Sequence, residues 1–145
     1  MSVVIYTDGA AKGNPGKGGY GAVLIYGKYK KELSEGFLMT TNNRMELLAV
    51  IVALETLTRP IAVTVYSDSK YVVDAVEKKW VFGWEKKGFK GKKNIDLWKR
   101  FLLIYKKHQV KFVWVKGHAG NPMNERCDQL AVAAAEGNNL KPDIG

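Results

Sequence analysis

Residues 42–68, NNRMELLAVIVALETLTRPIAVTVYSD, decide the fold class because they join a predicted helix to a predicted buried strand. The two asparagines are typical caps for the long apolar helix that follows them, and Arg59-Pro60 ends that helix. Residues 62–67 form a short apolar run, as expected of a strand covered on both faces. We therefore predict a sheet with helices packed against it.

Upstream of this stretch, short links separate three runs rich in β-branched and aromatic residues. We predict strands at residues 2–7, 20–26 and 30–37, with a glycine-rich loop over residues 9–19 and a turn at Gly27-Lys28. Short connections between consecutive strands favour an antiparallel meander.

Downstream of it, helix and strand patterns alternate. We predict helices at residues 70–79, 94–107 and 124–136 and a fifth strand at residues 108–115. The expected fold is therefore α/β, a mixed five-stranded sheet with helices on both faces. Residues 1–145 are expected to form a single domain in which residues 137–145 are a loose tail.

The composition excludes several classes of protein. Hydrophobic residues make up 46% of the chain, too many for a disordered protein, and no apolar run reaches the roughly 18 residues of a membrane span. The first residues lack the features of a signal peptide, so we expect a cytoplasmic protein without a membrane partner. Cys127 is the only cysteine and only His108 and His118 are histidines, which excludes an internal disulfide and a zinc finger. We expect Cys127 in the core and a structural role for His108, so any metal must bind oxygen ligands.

The net charge of +9 is concentrated in residues 78–93, which we call the basic segment. This segment contains seven lysines and one acid, Glu85, and its lysines are interleaved with Trp80, Phe82, Trp84 and Phe89. Lysines attract phosphates, and aromatic rings lie against sugars or bases. The basic segment therefore favours a nucleic-acid partner.

Four carboxylates, those of Asp8, Glu46, Asp68 and Asp128, lie in apolar or neutral surroundings. Two of them directly follow apolar strands, where open α/β sheets place their ligand sites. Taken alone, Asp68 is best explained as the N-cap of the next helix. Together the four acids would repel one another without a counterion, and Mg²⁺ or Mn²⁺ prefer oxygen ligands. Two such ions can promote phosphoryl displacement, which suggests nuclease chemistry.

Six motifs resemble those of type 1 ribonuclease H, of the bacterial ribonuclease HI kind. They are TDGA at residues 7–10, GNPG at 13–16, TNNRMEL at 41–47, YSDS at 66–69, VKGHAG at 115–120 and NERCD at 124–128. The resemblance implies the ribonuclease H-like fold. It also implies an endoribonuclease that hydrolyses the RNA strand of RNA–DNA hybrids and leaves 5′-phosphate and 3′-hydroxyl ends.

The same resemblance implies the residues of the catalytic centre. Asp8, Glu46, Asp68 and Asp128 match the four acids that hold two Mg²⁺ ions in this family, and Mn²⁺ is expected to substitute. One ion would activate the attacking water and the other would stabilise the leaving 3′-oxygen. His118, in a glycine-rich loop, would move protons or assist product release.

The resemblance also implies contacts with the hybrid. The backbone of residues 9–11 and nearby asparagines would sense the RNA 2′-hydroxyl, and Thr41 and Asn94 would bind a phosphate of the DNA strand. Met39 stands where related enzymes often place an arginine beside that phosphate, and Trp98 is expected in the core. The expected contact residues are Gly9, Ala10, Ala11, Asn14, Thr41, Asn42, Asn43, Tyr71, Trp80, Trp84, Lys86, Lys87 and Asn94.

Two other functions fit parts of the sequence. A catalytically inactive hybrid-binding module would use the basic segment for affinity alone, but the presence of all four acids argues against it. Another ribonuclease H-like nuclease core would place similar acids on a similar sheet and cut DNA, but the NNRME and GHAGN segments argue against it. The expected protein is a monomer without an obligate protein partner.

Overall fold

The structure, a computed structural model, describes residues 2–117 and 119–143 and contains a six-stranded sheet in the order β5-β4-β1-β2-β3-β6. Five helices accompany the sheet in the described residues. The elements are β1 Val3–Ala11, β2 Gly16–Tyr26, β3 Tyr29–Thr40, α1 Asn42–Glu55, β4 Ala62–Ser67, α2 Lys70–Glu77, α3 Trp80–Lys86, α4 Ile95–Tyr105, β5 Gln109–Trp114, α5 Pro122–Glu136 and β6 Leu140–Lys141.

The predicted mixed α/β sheet is confirmed. β1, β2 and β3 form the antiparallel meander, and β1, β4 and β5 run parallel. Helices cover both faces. α1 lies so close to β1 that a Cβ atom on Gly9 would collide with the backbone of Glu46, whereas a Cβ atom on Gly21 in β2 would collide with the backbone of Cys127 in α5.

The first two strands are longer than the sequence predicts. β1 runs on through Asp8 to Ala11, and β2 begins at Gly16, so most of the expected loop over residues 9–19 is paired strand. Small residues are needed here because helices pack closely on both sides of these strands. The loop itself is reduced to residues 12–15.

The prediction of five strands is wrong, and residues 140–143 of the expected loose tail contact the rest of the domain. β6 pairs in parallel with the edge strand β3, the Lys141 ammonium forms an ion pair with Glu35, and Asp143 binds Arg44. An open sheet edge offers unpaired backbone groups, and a buried guanidinium needs carboxylate partners. The strand pairing and the two ion pairs therefore attach residues 140–143 to the rest of the domain.

Two helix caps differ from those expected. Thr41, not an asparagine, caps α1, because its hydroxyl accepts the backbone N–H of Arg44 at 3.2 Å. Ser69 caps α2 in the same way, accepting the N–H of Val72 at 3.3 Å. The Asp68 carboxylate is therefore not the cap of α2.

The core lies mainly between the sheet and the helices α1, α2 and α4. Trp98 and Cys127 are fully buried, as predicted. His108, directly before β5, accepts the backbone N–H of Ile61 on its Nδ1 atom at 3.2 Å, which agrees with a structural role.

Candidate metal centre and nucleic-acid interface

Three carboxylates meet at one point of the sheet. Asp8 lies within β1, Asp68 follows β4, and Glu46 lies in the first turns of α1. Because β1 and β4 are adjacent and parallel, they bring Asp8 and Asp68 to the same region. One oxygen from each of the three acids lies within 4.8 Å of the others. We call these three residues the carboxylate cluster.

Gly9 orients two members of the carboxylate cluster. Its backbone N–H is shared between Asp8 Oδ1 at 2.9 Å and Glu46 Oε1 at 2.8 Å. This close approach is possible because Gly9 has no Cβ atom, which would strike the backbone of Met45 and Glu46. The glycine of the TDGA motif is thus a structural requirement of the cluster.

Burial and mutual repulsion disfavour a full negative charge on the cluster. Burial raises the pKa of Asp8 to about 6, and the charges of Asp68 and Asp128 act in the same direction. Burial and the neighbouring Asp8 raise the pKa of Glu46 well above its usual value. Glu46 Oε2 is also buried without a hydrogen-bond partner among the described residues. A set of oxygen donors with uncompensated charge fits a hard divalent cation.

One predicted catalytic acid, Asp128, lies apart from the carboxylate cluster, and a second predicted catalytic residue, His118, is not among the described residues. Asp128 on α5 is half-buried, and its charge contributes to the raised pKa of Asp8. The neighbour of His118, Gly117, packs against Asp68, because a Cβ atom there would lie 2.7 Å from Asp68 Oδ2.

A polar cavity of about 500 Å³ adjoins the strand and helix that carry Asp8 and Glu46. Asn42 joins these two elements, since its Oδ1 accepts the backbone N–H of Ala11. Six of the predicted hybrid contacts line this cavity: Ala11, Asn14, Thr41, Asn42, Asn43 and Asn94. Gly13 and Lys93 also line it, so within the described part of the chain the cavity offers amide, hydroxyl and ammonium donors and no carboxylate. We call it the amide cavity.

The basic segment contains a short helix, α3, that the sequence did not predict. Trp80 is 49% exposed, and the Lys78 ammonium lies 5.2 Å from the centre of its ring. Trp84 instead packs edge-on against the buried Trp98, with the ring centres 5.7 Å apart. The segment therefore presents Trp80, Lys86 and Lys87 at the surface and uses Trp84 as an anchor.

Tyr71, another predicted contact, is engaged within the protein. Its hydroxyl accepts from Asn94 Nδ2 at 3.0 Å and from Trp98 Nε1 at 2.9 Å. The tyrosine therefore supports Asn94 at the edge of the amide cavity. Gly9 and Ala10, also predicted contacts, lie in β1 between the cluster and the cavity.

Several residues that no sequence motif indicates support the site from a distance. The Trp114 indole donates to the backbone oxygen of Asp68 at 3.1 Å, and Lys70 lies 4.9 Å from the centre of that ring. Arg44 binds Asp96 and Asp143. No local pattern reveals these contacts, because each joins residues far apart in the chain.

The family model for RNase H matches residues 1–136. The chain belongs to the ribonuclease H family, and it is therefore an enzyme of a hydrolase family. No helix in residues 2–117 and 119–143 has both the length and the apolar character that crossing a membrane requires.

Curated relatives match nearly the whole chain. A ribonuclease H of Rippkaea orientalis is 57% identical over 146 residues, covering 97% of this chain and 90% of the relative. A ribonuclease H of Lachnoclostridium phytofermentans is 57% identical over 154 residues, covering 99% of this chain and 98% of the relative.

Solved structures share the fold. LC9-RNase H1, described as a type 1 RNase H with the type 2 active-site motif, superposes with a TM-score of 0.83 at 32% identity, covering 92% of this chain and 71% of that one. LC11-RNase H1, solved in complex with an RNA/DNA hybrid, gives a TM-score of 0.73 at 27% identity, covering 92% of this chain and 96% of that one.

Proposed function

We propose that this ribonuclease H hydrolyses the RNA strand of RNA–DNA hybrids and that its carboxylate cluster is the catalytic centre. The observation that carries this proposal is the convergence of Asp8, Glu46 and Asp68 oxygens within 4.8 Å in a largely buried setting. The expected products are 5′-phosphate and 3′-hydroxyl ends. The hybrid bound by LC11-RNase H1 supports the same substrate class for this chain.

The cluster and Asp128 would hold two divalent cations, Mg²⁺ in the first place and Mn²⁺ as a substitute. Bound cations of this kind supply the positive charge that activates a water molecule and stabilises the leaving 3′-oxygen. The protein's part is to hold the acids in place. Gly9 orients Asp8 and Glu46 through its N–H. Trp114 donates to the backbone oxygen of Asp68, and Gly117 packs against the Asp68 carboxylate.

The amide cavity and the neighbouring backbone would bind the hybrid. Hydroxyl and amide groups both donate and accept hydrogen bonds, so Asn14, Asn42 and Asn43 suit a 2′-hydroxyl, which does the same. Thr41, Asn94 and Lys93 provide donors for a phosphate of the DNA strand. Met39 is 59% exposed and, being uncharged, contributes no positive charge to the binding of this phosphate.

The basic segment would hold the DNA strand. Exposed Lys86 and Lys87 attract phosphates, and the accessible face of Trp80 can lie against a sugar or base. His118 is proposed to move protons or assist product release, and the proximity of its chain neighbour Gly117 to Asp68 supports this proposal.

A panel of strand-labelled substrates tests this function: an RNA–DNA hybrid, duplex DNA, duplex RNA and single-stranded RNA, each with Mg²⁺, with Mn²⁺ and with chelator. We expect metal-dependent cutting confined to the RNA of the hybrid. Cutting of duplex DNA would favour another ribonuclease H-like nuclease core. Tight hybrid binding without cutting would favour an inactive binding module, and either result would overturn the proposal.

We also propose a cytoplasmic monomer that forms a single catalytic domain over residues 1–145 and needs no protein partner. The carboxylate cluster and the amide cavity are built from one chain, which supports this proposal. Sedimentation should give a mass near 16.2 kDa for the active species. An active species of twice that mass would contradict it.

A further inference from the structure

Arg44 is a buried cation whose five N–H groups are all used. It is 8% exposed. Its Nε and Nη2 donate to the two oxygens of Asp143 at 2.7 and 2.9 Å, and its Nη2 and Nη1 donate to the two oxygens of Asp96 at 2.7 and 2.9 Å. The remaining Nη1 hydrogen reaches Asn94 Oδ1 at 3.2 Å. Two carboxylates on adjacent edges thus fix the guanidinium plane.

The bond to Asn94 fixes which end of its amide faces the protein. Arginine has only donors, so the oxygen of Asn94 must point toward Arg44. The amide nitrogen then donates one hydrogen to the Tyr71 hydroxyl at 3.0 Å. Neither of these bonds uses the second amide hydrogen of Asn94, a residue that lines the amide cavity.

The two carboxylates that hold Arg44 are not equivalent. The Asp96 side chain is 47% exposed, whereas that of Asp143 is only 10% exposed. Asp143 also accepts the hydroxyl of Thr40 at 2.7 Å, next to the cavity residue Thr41. Asp143 therefore accepts three hydrogen bonds in a largely buried setting, which holds the Nε edge of the guanidinium in place.

We propose that Asp143 is a positioning residue for substrate binding, acting through Arg44 to orient the amide of Asn94 in the amide cavity. The inference rests on the proposed function, since it takes a nucleic-acid phosphate as the ligand of that cavity. It gives the end of the chain a role in substrate affinity without any contact between Asp143 and the substrate.

The test compares the KM and kcat of Asp143→Asn with those of the wild type on an RNA–DNA hybrid. We expect KM to rise by about fivefold, the effect of one weakened hydrogen bond, with kcat within about twofold. The substitution makes the protein more positive, which by itself would tighten the binding of a polyanion. A higher KM therefore cannot come from the change in net charge.

The matched control is Glu32→Gln. It removes one carboxylate, as Asp143→Asn does, and so changes the net charge by the same amount, but it breaks the exposed Arg126–Glu32 pair instead. Its KM should equal or fall below that of the wild type. A second measurement places Asp143→Asn in an Asn94→Ala background, where it should raise KM no further. Circular dichroism verifies folding at the assay temperature, and Asp143→Glu, which keeps the carboxylate, should give a KM nearer to that of the wild type.

An unchanged KM in Asp143→Asn, or a full additive increase in the Asn94→Ala background, would overturn the inference while wild-type cleavage leaves the proposed function standing. If the wild type does not cut the hybrid, the proposed function fails instead. Anisotropy of a labelled hybrid in chelator then compares wild type with Asp143→Asn. Weaker binding by the variant alone would support the inference, and equal or absent binding would overturn it.

Discussion

At the scale of single residues, the site depends on a glycine as much as on its acids. Gly9 donates one N–H to both Asp8 and Glu46 and lets the start of α1 approach β1. A side chain at this position would push apart the elements that carry two members of the carboxylate cluster. Gly9 therefore determines the position of Asp8 and Glu46, whereas the acids themselves provide the charge of the cluster.

Gly9→Ala tests this dependence. Its Cβ atom would collide with the backbone of Met45 and Glu46, so we expect a loss of roughly 1–3 kcal/mol in the free energy of unfolding and a large fall in kcat. Gly83→Ala is the control, because a Cβ atom there would meet nothing within 4 Å. Urea unfolding measures the free energy of unfolding of both variants. A Gly9→Ala variant as stable as the wild type would contradict the packing described for β1 and α1.

The raised pKa values of Asp8 and Glu46 predict how stability depends on pH without metal. Between the usual pKa of 3.8 and the value of about 6 for Asp8, the folded protein binds more protons than the unfolded chain. The stabilisation is present at low pH and is lost as pH rises through about 6. Unfolding in chelator should therefore show a fall on the order of 2 kcal/mol across this window.

Two comparisons verify the origin of that pH dependence. Asp8→Asn should flatten the profile and be more stable than the wild type at pH 8 in chelator, because it removes a charge from the carboxylate cluster. Added Mg²⁺ should stabilise the wild type at pH 8 more than at pH 5. Wild-type stability that rises from pH 4 to pH 7 in chelator, with Asp8→Asn unchanged, would contradict this account.

At the scale of elements, α3 separates anchoring from exposed aromatic residues within the basic segment. Trp84 packs against Trp98 and Phe82 against Tyr105, whereas Trp80 is 49% exposed. The fixed helix thus carries Trp80 and the exposed lysines on a rigid base.

Trp80→Ala should therefore mainly weaken hybrid binding, and Trp84→Ala should mainly lower stability. Trp80→Ala should weaken hybrid binding by about tenfold, from the loss of stacking, and change stability by no more than about 0.5 kcal/mol. Trp84→Ala should cost roughly 2 kcal/mol of stability by leaving a gap beside Trp98. Anisotropy and urea unfolding measure the two quantities. Equal effects of both variants on stability would show that the two tryptophans are not divided in this way.

At the scale of the whole molecule, local patterns predict the elements and long-range contacts decide the rest. The sequence predicts β4 at its observed bounds and places Asp8 and Asp68 directly after apolar runs, because the apolar pattern suffices for both. The parallel pairing of β1 with β4, which brings the two acids together, is a finding of the structure. The sequence does not predict β6, since a strand of two residues exists only by pairing with β3. Nor does it predict the partners of Arg44, because Asp143 lies 99 residues away in the chain.

Positive and negative charge are concentrated in different parts of the molecule. The chain carries a net charge of +9, yet its carboxylate cluster gathers three acids in a small volume. Positive charge on the surface attracts a polyanion, and concentrated negative charge attracts divalent cations. In the proposed function, the basic segment therefore provides affinity for the substrate and the carboxylate cluster provides affinity for the metal.

The carboxylate cluster is proposed to make this protein a metal-dependent ribonuclease H. The most direct measurement follows cleavage of an RNA–DNA hybrid labelled on each strand, by wild type, Asp8→Asn and the surface control Asp74→Asn, with Mg²⁺ and with chelator. We predict that wild type and Asp74→Asn cut only the RNA strand and only with Mg²⁺, whereas Asp8→Asn loses at least about a thousandfold in rate. Wild-type cleavage in chelator, or normal cleavage by Asp8→Asn, would contradict the claim.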